Sequence, residues 1–344
     1  MAAAAVAVAV SLSACAGTVT PKAATPLASA PEPANSPPAQ AQLPGMIVAL
    51  ASAPEGVVVD RSGYVAVNVH QPDGLVIFNL EAPAARRIVT LPGSARHLSL
   101  AGPDGPVLVP SESDDRLVEV ALPSGGILQS IPVGHQPHDA APVRTATVGA
   151  AAVGAGTVFV GDEFGNTIHV IRGGATSRVV PAPLQPGGVA ASADGSAVVA
   201  VGVRGRRITA YRPDGTTIGS ANCGAGPTHV VTGEGGLYWV VDTGGGAVLA
   251  FRVGATGPHQ VARIAVGASP YGVAYDYRRS TLWVTLTGSN QLLGLQLRAA
   301  SVTSRMLYAT VQQPNTVAVA ESTGDLVVTG STTHGAIQII GGST

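Results

Sequence analysis

The chain has 344 residues, 46% of them hydrophobic, with a formal net charge of -1 at pH 7. The basic residues are scattered along the chain and, apart from Lys22, are all Arg, so no basic stripe marks a nucleic-acid surface. Aromatic residues make up 4% and charged residues 11%, while 44 Gly and 26 Pro punctuate the sequence, so the core must be Val, Ala, Leu and Ile held in short segments between many tight turns. No segment approaches the roughly eighteen consecutive apolar residues of a membrane-spanning helix.

Residues 1–14 read as a signal peptide. Ala2 to Leu12 is apolar except for Ser11, too short to span a bilayer, and Leu12-Ser13-Ala14-Cys15 closes it. The tetrapeptide resembles the bacterial lipobox, which implies that Cys15 is the lipidated residue and becomes the new N-terminus. At roughly 0.8 kcal/mol per buried CH₂, two or three acyl chains hold a protein firmly at a membrane. The expected location is therefore the extracytoplasmic side of the cell membrane, with the membrane itself as one partner. The Met1 amine is the only positive charge at the start, a departure from the usual Lys/Arg-rich beginning that leaves the translation start open. Residues 15–45 continue as a Pro/Ala/Ser/Thr-rich stretch, expected to be a disordered or polyproline-like spacer. The only other cysteine, Cys223, has no His or cation near it in sequence and reads as a buried free thiol.

Within the expected propeller domain, residues 46–344, a unit recurs about every 40 residues from residue 54 onward: a Pro or small residue, Gly or His shortly after, an apolar strand, a turn, a second strand, a polar turn, and a third and fourth strand. The openings are Pro54, Ala95, Pro137, Pro186, Pro227, Pro270 and Pro314, which makes seven units. Hairpin signals recur at Asp73-Gly74, Asp104-Gly105, Asp194-Gly195 and Asp214-Gly215, where Gly accepts positive φ without strain. Third strands are expected at Leu75 to Asn79, Leu117 to Val120, Thr167 to Ile171, Ile208 to Tyr211, Ala247 to Phe251, Leu292 to Leu295 and Ile337 to Ile340. The seventh unit stops at its third strand, and the unassigned run from Met46 to Leu50 can supply its fourth. The expected fold is all-β: a seven-bladed β-propeller with four-stranded antiparallel blades, closed by an N-terminal strand joining the last blade.

The repeats Pro186-Gly-Gly-Val-Ala-Ala-Ser-Ala-Asp-Gly and Pro270-Tyr-Gly-Val-Ala-Tyr, with second strands such as Leu282-Trp-Val, apolar third strands, and fourth strands at Ile127 to Val133 and Val261 to Val266 that end in Val-Gly, resemble the YncE-like family of seven-bladed propellers. The resemblance covers about 46 to 342; it implies the architecture and leaves the activity open. Trp239 and Trp283 fall within second strands and are expected to pack between blades. Asp162 and Asp242, after second strands, read as turn acids.

In a propeller the residues just before the innermost strand ring one mouth of the central channel. The candidate ligand-binding residues at that level are Arg96, His97, His138, Asp139, His229, Tyr271 and Asn315, with Arg96 the anchor for an anionic ligand and the histidines as donors. His97, His138 and His229 come from the second, third and fifth units, and that separation argues against a shared metal. No metal, cofactor or catalytic residue is assigned, and no Gly-x-Ser-x-Gly elbow or phosphate loop is present. The resulting expectation is a monomeric, membrane-anchored lipoprotein whose propeller binds a protein or cell-envelope partner, or a small anionic ligand. The alternative is a hydrolase or lyase working at the channel mouth.

Overall fold

The computed structural model describes residues 1–2, 29–50, 53–144, 156–267 and 269–342. Within them the chain forms seven four-stranded sheets. In six, four consecutive antiparallel strands run from the axis outward. Their innermost strands are Ala53–Val59, Ser99–Leu100, Pro137–Val143, Pro186–Ala191, Pro227–Gly233 and Pro270–Asp276. The seventh takes Pro314–Val319, Leu326–Gly330 and Ala336–Ile340 from the C-terminal end and Met46–Ala49 as its outer strand. That strand pairs antiparallel with Ala336–Ile340 from Met46 opposite Ile339 to Ala49 opposite Ala336, so both ends of the repeat region meet in one blade. No helix among the described residues is long and apolar enough to cross a membrane.

Closure into a ring is visible in the packing. Each pair of neighbouring blades shares a hydrophobic cluster, and the one between blades 7 and 1 joins Ala318, Val327 and Ile337 to Val57, Val67 and Phe78. Six further clusters fill the other interfaces. Second strands such as Leu237–Asp242 and Thr281–Leu286 are buried along their whole length, whereas outer strands such as Ala82–Thr90 are largely exposed. This is why the second strands read as unbroken apolar runs: both their faces meet a neighbouring blade, and each buried Val, Leu or Phe contributes roughly 1.5–3 kcal/mol. Trp239 fills the cluster between blades 5 and 6, and Trp283 that between blades 6 and 7.

A repeated device sets the entrance to the inner strands. Gln136, Gln185, Ser269 and Gln313 all adopt positive φ, and each precedes a Pro that starts an inner strand. Positive φ is uncommon outside glycine, so the backbone there is held from outside. In three of the four turns a side chain of the preceding blade accepts the N–H: Asp115 from Gln136 at 2.9 Å, Asn166 from Gln185 at 2.8 Å, and Asn290 from Gln313 at 3.1 Å. Just after the Pro the ladder slips in every inner strand except that of blade 2, as between Pro137 and Asp139, Pro227 and Val230, and Pro270 and Val273. Such bulges re-aim side chains that strict alternation would send to opposite faces.

Two sequence expectations shift. The second unit opens at Ala95, but its inner strand is only Ser99–Leu100; continuing the register from Ser99 opposite Leu108 would put His97 opposite Pro110, which has no N–H to give the ladder. The stretch before the first unit, expected as a disordered or polyproline-like spacer, lies against the propeller from residue 30 onward. Ala34 N–H donates to Thr287 Oγ1 (3.0 Å), Ser36 Oγ to the Thr287 carbonyl (2.6 Å), and Asn290 Nδ2 to the Pro37 carbonyl (2.6 Å). Cys15 lies outside the described residues.

Candidate functional site

The inner strands surround an axial cavity of ≈ 480 Å³. Its walls are small and apolar, with Ala140, Ala190, Val231, Ala274 and Val317 among them. His97, Asp139 and His229 close it at the end where the inner strands begin, and Arg144, Tyr277 and Glu321 stand at the other. The long connection after Ala141 joins the first and second strands of blade 3, so it springs from the Arg144 end; residues 145–155 lie outside the described residues.

The mouth beyond the histidines is a second, small space lined by Arg96, His138, Glu163, His229 and Tyr271, and roofed by Pro31 and Glu32 of the N-terminal segment. Glycine makes this level of the ring narrow. A Cβ on Gly56 would overlap the Arg96 carbonyl, one on Gly272 would overlap the Asn315 carbonyl, and one on Gly188 would lie 3.0 Å from the Thr228 carbonyl. With adjacent inner strands in such close approach, side chains from separate blades reach one another across the axis.

The histidines do so. The ring of His97 lies 4.6 Å from that of His138 and 4.4 Å from that of His229, centroid to centroid, and one nitrogen from each ring falls within 4.8 Å of the others. Separation by blade number therefore does not keep them apart, which corrects the argument made from spacing. His138 Nδ1 faces two carboxylates, Glu112 Oε1 at 2.7 Å and Glu163 Oε2 at 3.3 Å. Burial alone would push the His138 imidazole down, but the hydrogen bonds to Glu112 and Glu163 outweigh it and raise its pKa to about 10. His229 Nδ1 donates to the Tyr271 carbonyl at 2.8 Å, and the Tyr271 ring meets the His229 ring edge-on at 4.5 Å. Burial, with the neighbouring charges of His138 and Arg96, lowers His229 to about 4. His97 is lowered well below the ordinary value, first by burial and then by His229 and His138. At neutral pH the cluster is thus one imidazolium answered by carboxylates beside two neutral rings.

The bulge after Pro137 turns the buried His138 toward the mouth and the half-buried Asp139 toward blade 4. The Asp139 carboxylate accepts Val189 N–H of blade 4 and its neighbour Ala140 N–H, both at 2.8 Å, and burial raises its pKa to about 6. Arg96 is committed: its Nε stands 3.6 Å from Glu112 Oε2, with Glu55 and Glu32 also acting on it. An anion at Arg96, the expected anchor, would therefore also meet the carboxylates of Glu32, Glu55, Glu112 and Glu163. Asn315 is buried at the rim, where its Oδ1 accepts Gln313 Nε2 (3.2 Å), and it lines neither space.

Glu112, Glu163 and Glu32 are the site residues that the sequence reading missed. The first two follow second strands directly, in Ser111-Glu112 and Asp162-Glu163, a position the topology puts at the mouth; Glu32 carries no signal in the sequence. Asp162 and Asp242, read as turn acids, also staple the loops that lead into the site. Asp162 Oδ1 accepts His135 N–H (2.9 Å) and Gly165 N–H (2.8 Å), and Asp242 Oδ1 accepts the N–H groups of Ala225 (2.9 Å), Gly226 (2.7 Å) and Gly245 (3.1 Å).

No family model and no curated protein sequence matches the chain. Solved structures do match in fold. A streptogramin B lyase structure superposes with a TM-score of 0.69 at 13% identity, covering 86% of this chain and 98% of that one. The virginiamycin B lyase of Staphylococcus aureus gives 0.68 at 15% identity, over 86% and 99% of the two chains. A chain of the mitotic checkpoint complex gives 0.70 at 12% identity, over 94% and 99%. The chain is a seven-bladed propeller. At these identities the likeness extends to the fold alone, which antibiotic-named lyases share with a chain of a checkpoint complex.

Proposed function

We propose that the chain is a lipoprotein of the extracytoplasmic membrane surface, anchored through Cys15, whose YncE-like propeller binds a small ligand in its axial channel. The observation that carries the binding reading is the cavity itself. At ≈ 480 Å³ it falls in the range of small-molecule sites, with apolar walls and a few polar groups at each end. A mainly apolar ligand with a polar end fits that lining. The anchoring reading rests on Leu12-Ser13-Ala14-Cys15. Pro31 and Glu32 roof the histidine mouth, so the N-terminal segment reaches the body at that face.

Two measurements test this. Wild-type protein is expected in the membrane fraction and Cys15→Ala in the soluble fraction; equal partitioning refutes the anchor. Protein purified from its native envelope is expected to carry a small molecule detectable by mass spectrometry, and an Ala191→Phe variant, which fills the channel, is expected to lose it. Recovery of the same molecule from both refutes the channel as the site.

A second reading, a hydrolase or lyase at the mouth, is favoured by the two neutral imidazoles at the end of the cavity, which are groups able to take a proton. One of the matched structures is described as an inactive virginiamycin B lyase with quinupristin. Turnover of quinupristin by this chain, abolished in a folded His97→Ala/His229→Ala variant, would establish that reading.

A further inference from the structure

We propose that His97, His138 and His229 form a site for a divalent transition-metal ion of the zinc type. The three rings converge from blades 2, 3 and 5, and one nitrogen of each already lies within 4.8 Å of the other two. A tetrahedral ion with bonds of about 2.0–2.1 Å to nitrogen needs these atoms about 3.4 Å apart, a closure that side-chain rotation can supply. Imidazole is the ligand type that such ions favour.

The groups behind the rings strengthen the assignment. Metal-bound histidines commonly give their second ring N–H to a carboxylate or a backbone carbonyl, which fixes the tautomer and turns the other nitrogen toward the ion. His138 Nδ1 points at Glu112 and Glu163, and His229 Nδ1 points at the Tyr271 carbonyl, so in both rings Nε2 is the nitrogen left for a metal. His97 contacts both other rings, and neither of its nitrogens is committed to a hydrogen bond among the described residues. On binding, the ion takes the place of any proton on His138 Nε2 and leaves the Nδ1 hydrogen bonds intact. Glu112 and Glu163 then offset the charge that the ion brings.

A bare histidine plug between blades would not need these features. Two neutral rings aimed at a third, with carboxylates held behind, gain little from one another, whereas an ion at the centre satisfies all three. His97 and His229 also line the axial cavity, which gives an ion a way in and leaves room for a fourth, exchangeable ligand. The site stands whether or not the chain is tethered or the cavity holds an organic ligand.

The test is zinc titration of the purified full-length protein after chelator treatment, followed by calorimetry, with cobalt absorption as a report on ligand type. Stoichiometric zinc at micromolar affinity or better is expected, with a cobalt spectrum free of thiolate charge-transfer bands. His97→Gln and His229→Gln, checked for folding by thermal melts, are each expected to weaken binding at least ~100-fold. Glu163→Gln removes a carboxylate from behind His138 without removing a ligand, and is expected to weaken it ~10- to 100-fold. The site is overturned if wild-type protein takes up no zinc, or if uptake is undiminished in the two histidine variants. Should those variants fail to fold, undiminished uptake by Glu163→Gln overturns it.

Discussion

Asp242 ends the second strand of blade 5 with 2% of its surface exposed, and its Oδ1 accepts three backbone N–H groups. Two of these, from Ala225 and Gly226, belong to the loop that leads through Pro227 and Thr228 to His229. No cation pairs with this carboxylate among the described residues, so the amides are what justify its burial. Asp242→Ala leaves the N–H groups of Ala225 and Gly226 without a partner, whereas Gly245 N–H keeps the Asp242 carbonyl at 3.1 Å. Each orphaned donor costs about 1–3 kcal/mol when fully buried, and the partly buried Ala225 N–H recovers some of this from water. The expected loss is roughly 2–4 kcal/mol, a large share of the ~5–15 kcal/mol that holds a typical domain together. Asp242→Asn keeps an acceptor oxygen in place and should lose about 1–2 kcal/mol. Asp194, whose exposed carboxylate serves only the Ser192 to Ser196 turn, is the control, and Asp194→Ala should cost under about 1 kcal/mol. Urea unfolding of the three variants gives the ranking, and hydrogen exchange should show the amides of residues 225 and 226 opening first in Asp242→Asn. If Asp242→Ala unfolds within 1 kcal/mol of wild type, or no earlier than Asp242→Asn, the staple is not what holds the loop.

Three other outcomes follow from the packing and charge. A Cβ on Gly294 would stand 2.6 Å from Cζ3 and 2.8 Å from Cη2 of Trp283, so Gly294→Ala should cost about 1–3 kcal/mol by overpacking, with part of it recovered when Trp283→Phe is added; additive losses in the double variant would contradict this. His70 has its pKa raised, chiefly by its hydrogen bond to Glu55 against the opposing effect of burial, with Asp73 adding to it. Its contribution to stability is therefore complete below the unfolded-state value near 6.5 and is lost as pH rises through the higher folded-state value; urea midpoints measured from pH 6 to 9 should fall less in His70→Gln than in wild type, and parallel slopes would refute the assignment. The Cys223 thiol is buried, and burial together with Asp242 pushes its pKa up, so peptide-resolved alkylation should label it only at the rate of global unfolding and faster in Asp242→Ala.

The fold was legible because its determinants are local and repeated. Pro137, Pro186, Pro227, Pro270 and Pro314 are each the first residue of an inner strand, and the third strands lie where apolar alternation put them. Proline suits that position because the first residue of a strand has no ladder donor to lose. The closing strand could be inferred by counting, since a seventh unit with three strands leaves one edge that Met46–Ala49 covers. Blade 2 was less legible at its inner strand, where Pro110 of the second strand has no N–H to offer opposite His97. The docking of residues 30 to 37 was not legible at all, because their partners are side chains of blades 6 and 7 more than 200 residues away, and a Pro-rich segment advertises no such contact.

The site was half legible for a geometric reason. Sequence position identified which residues stand at the channel mouth, since every unit presents two residues just after its opening Pro or Ala. Blade number then suggests that blades 2, 3 and 5 keep their histidines apart. That inference fails on backbone detail. The bulge after Pro137 lets consecutive His138 and Asp139 both face the axis, one toward the mouth and the other across to Val189 of blade 4. Gly56, Gly188 and Gly272 let neighbouring inner strands approach until a Cβ would collide with or crowd the adjacent backbone. The ring is therefore narrowest where the histidines are. In sequence these glycines look like ordinary turn residues; in the ring they set its diameter at that level, and the diameter decides whether three distant histidines meet.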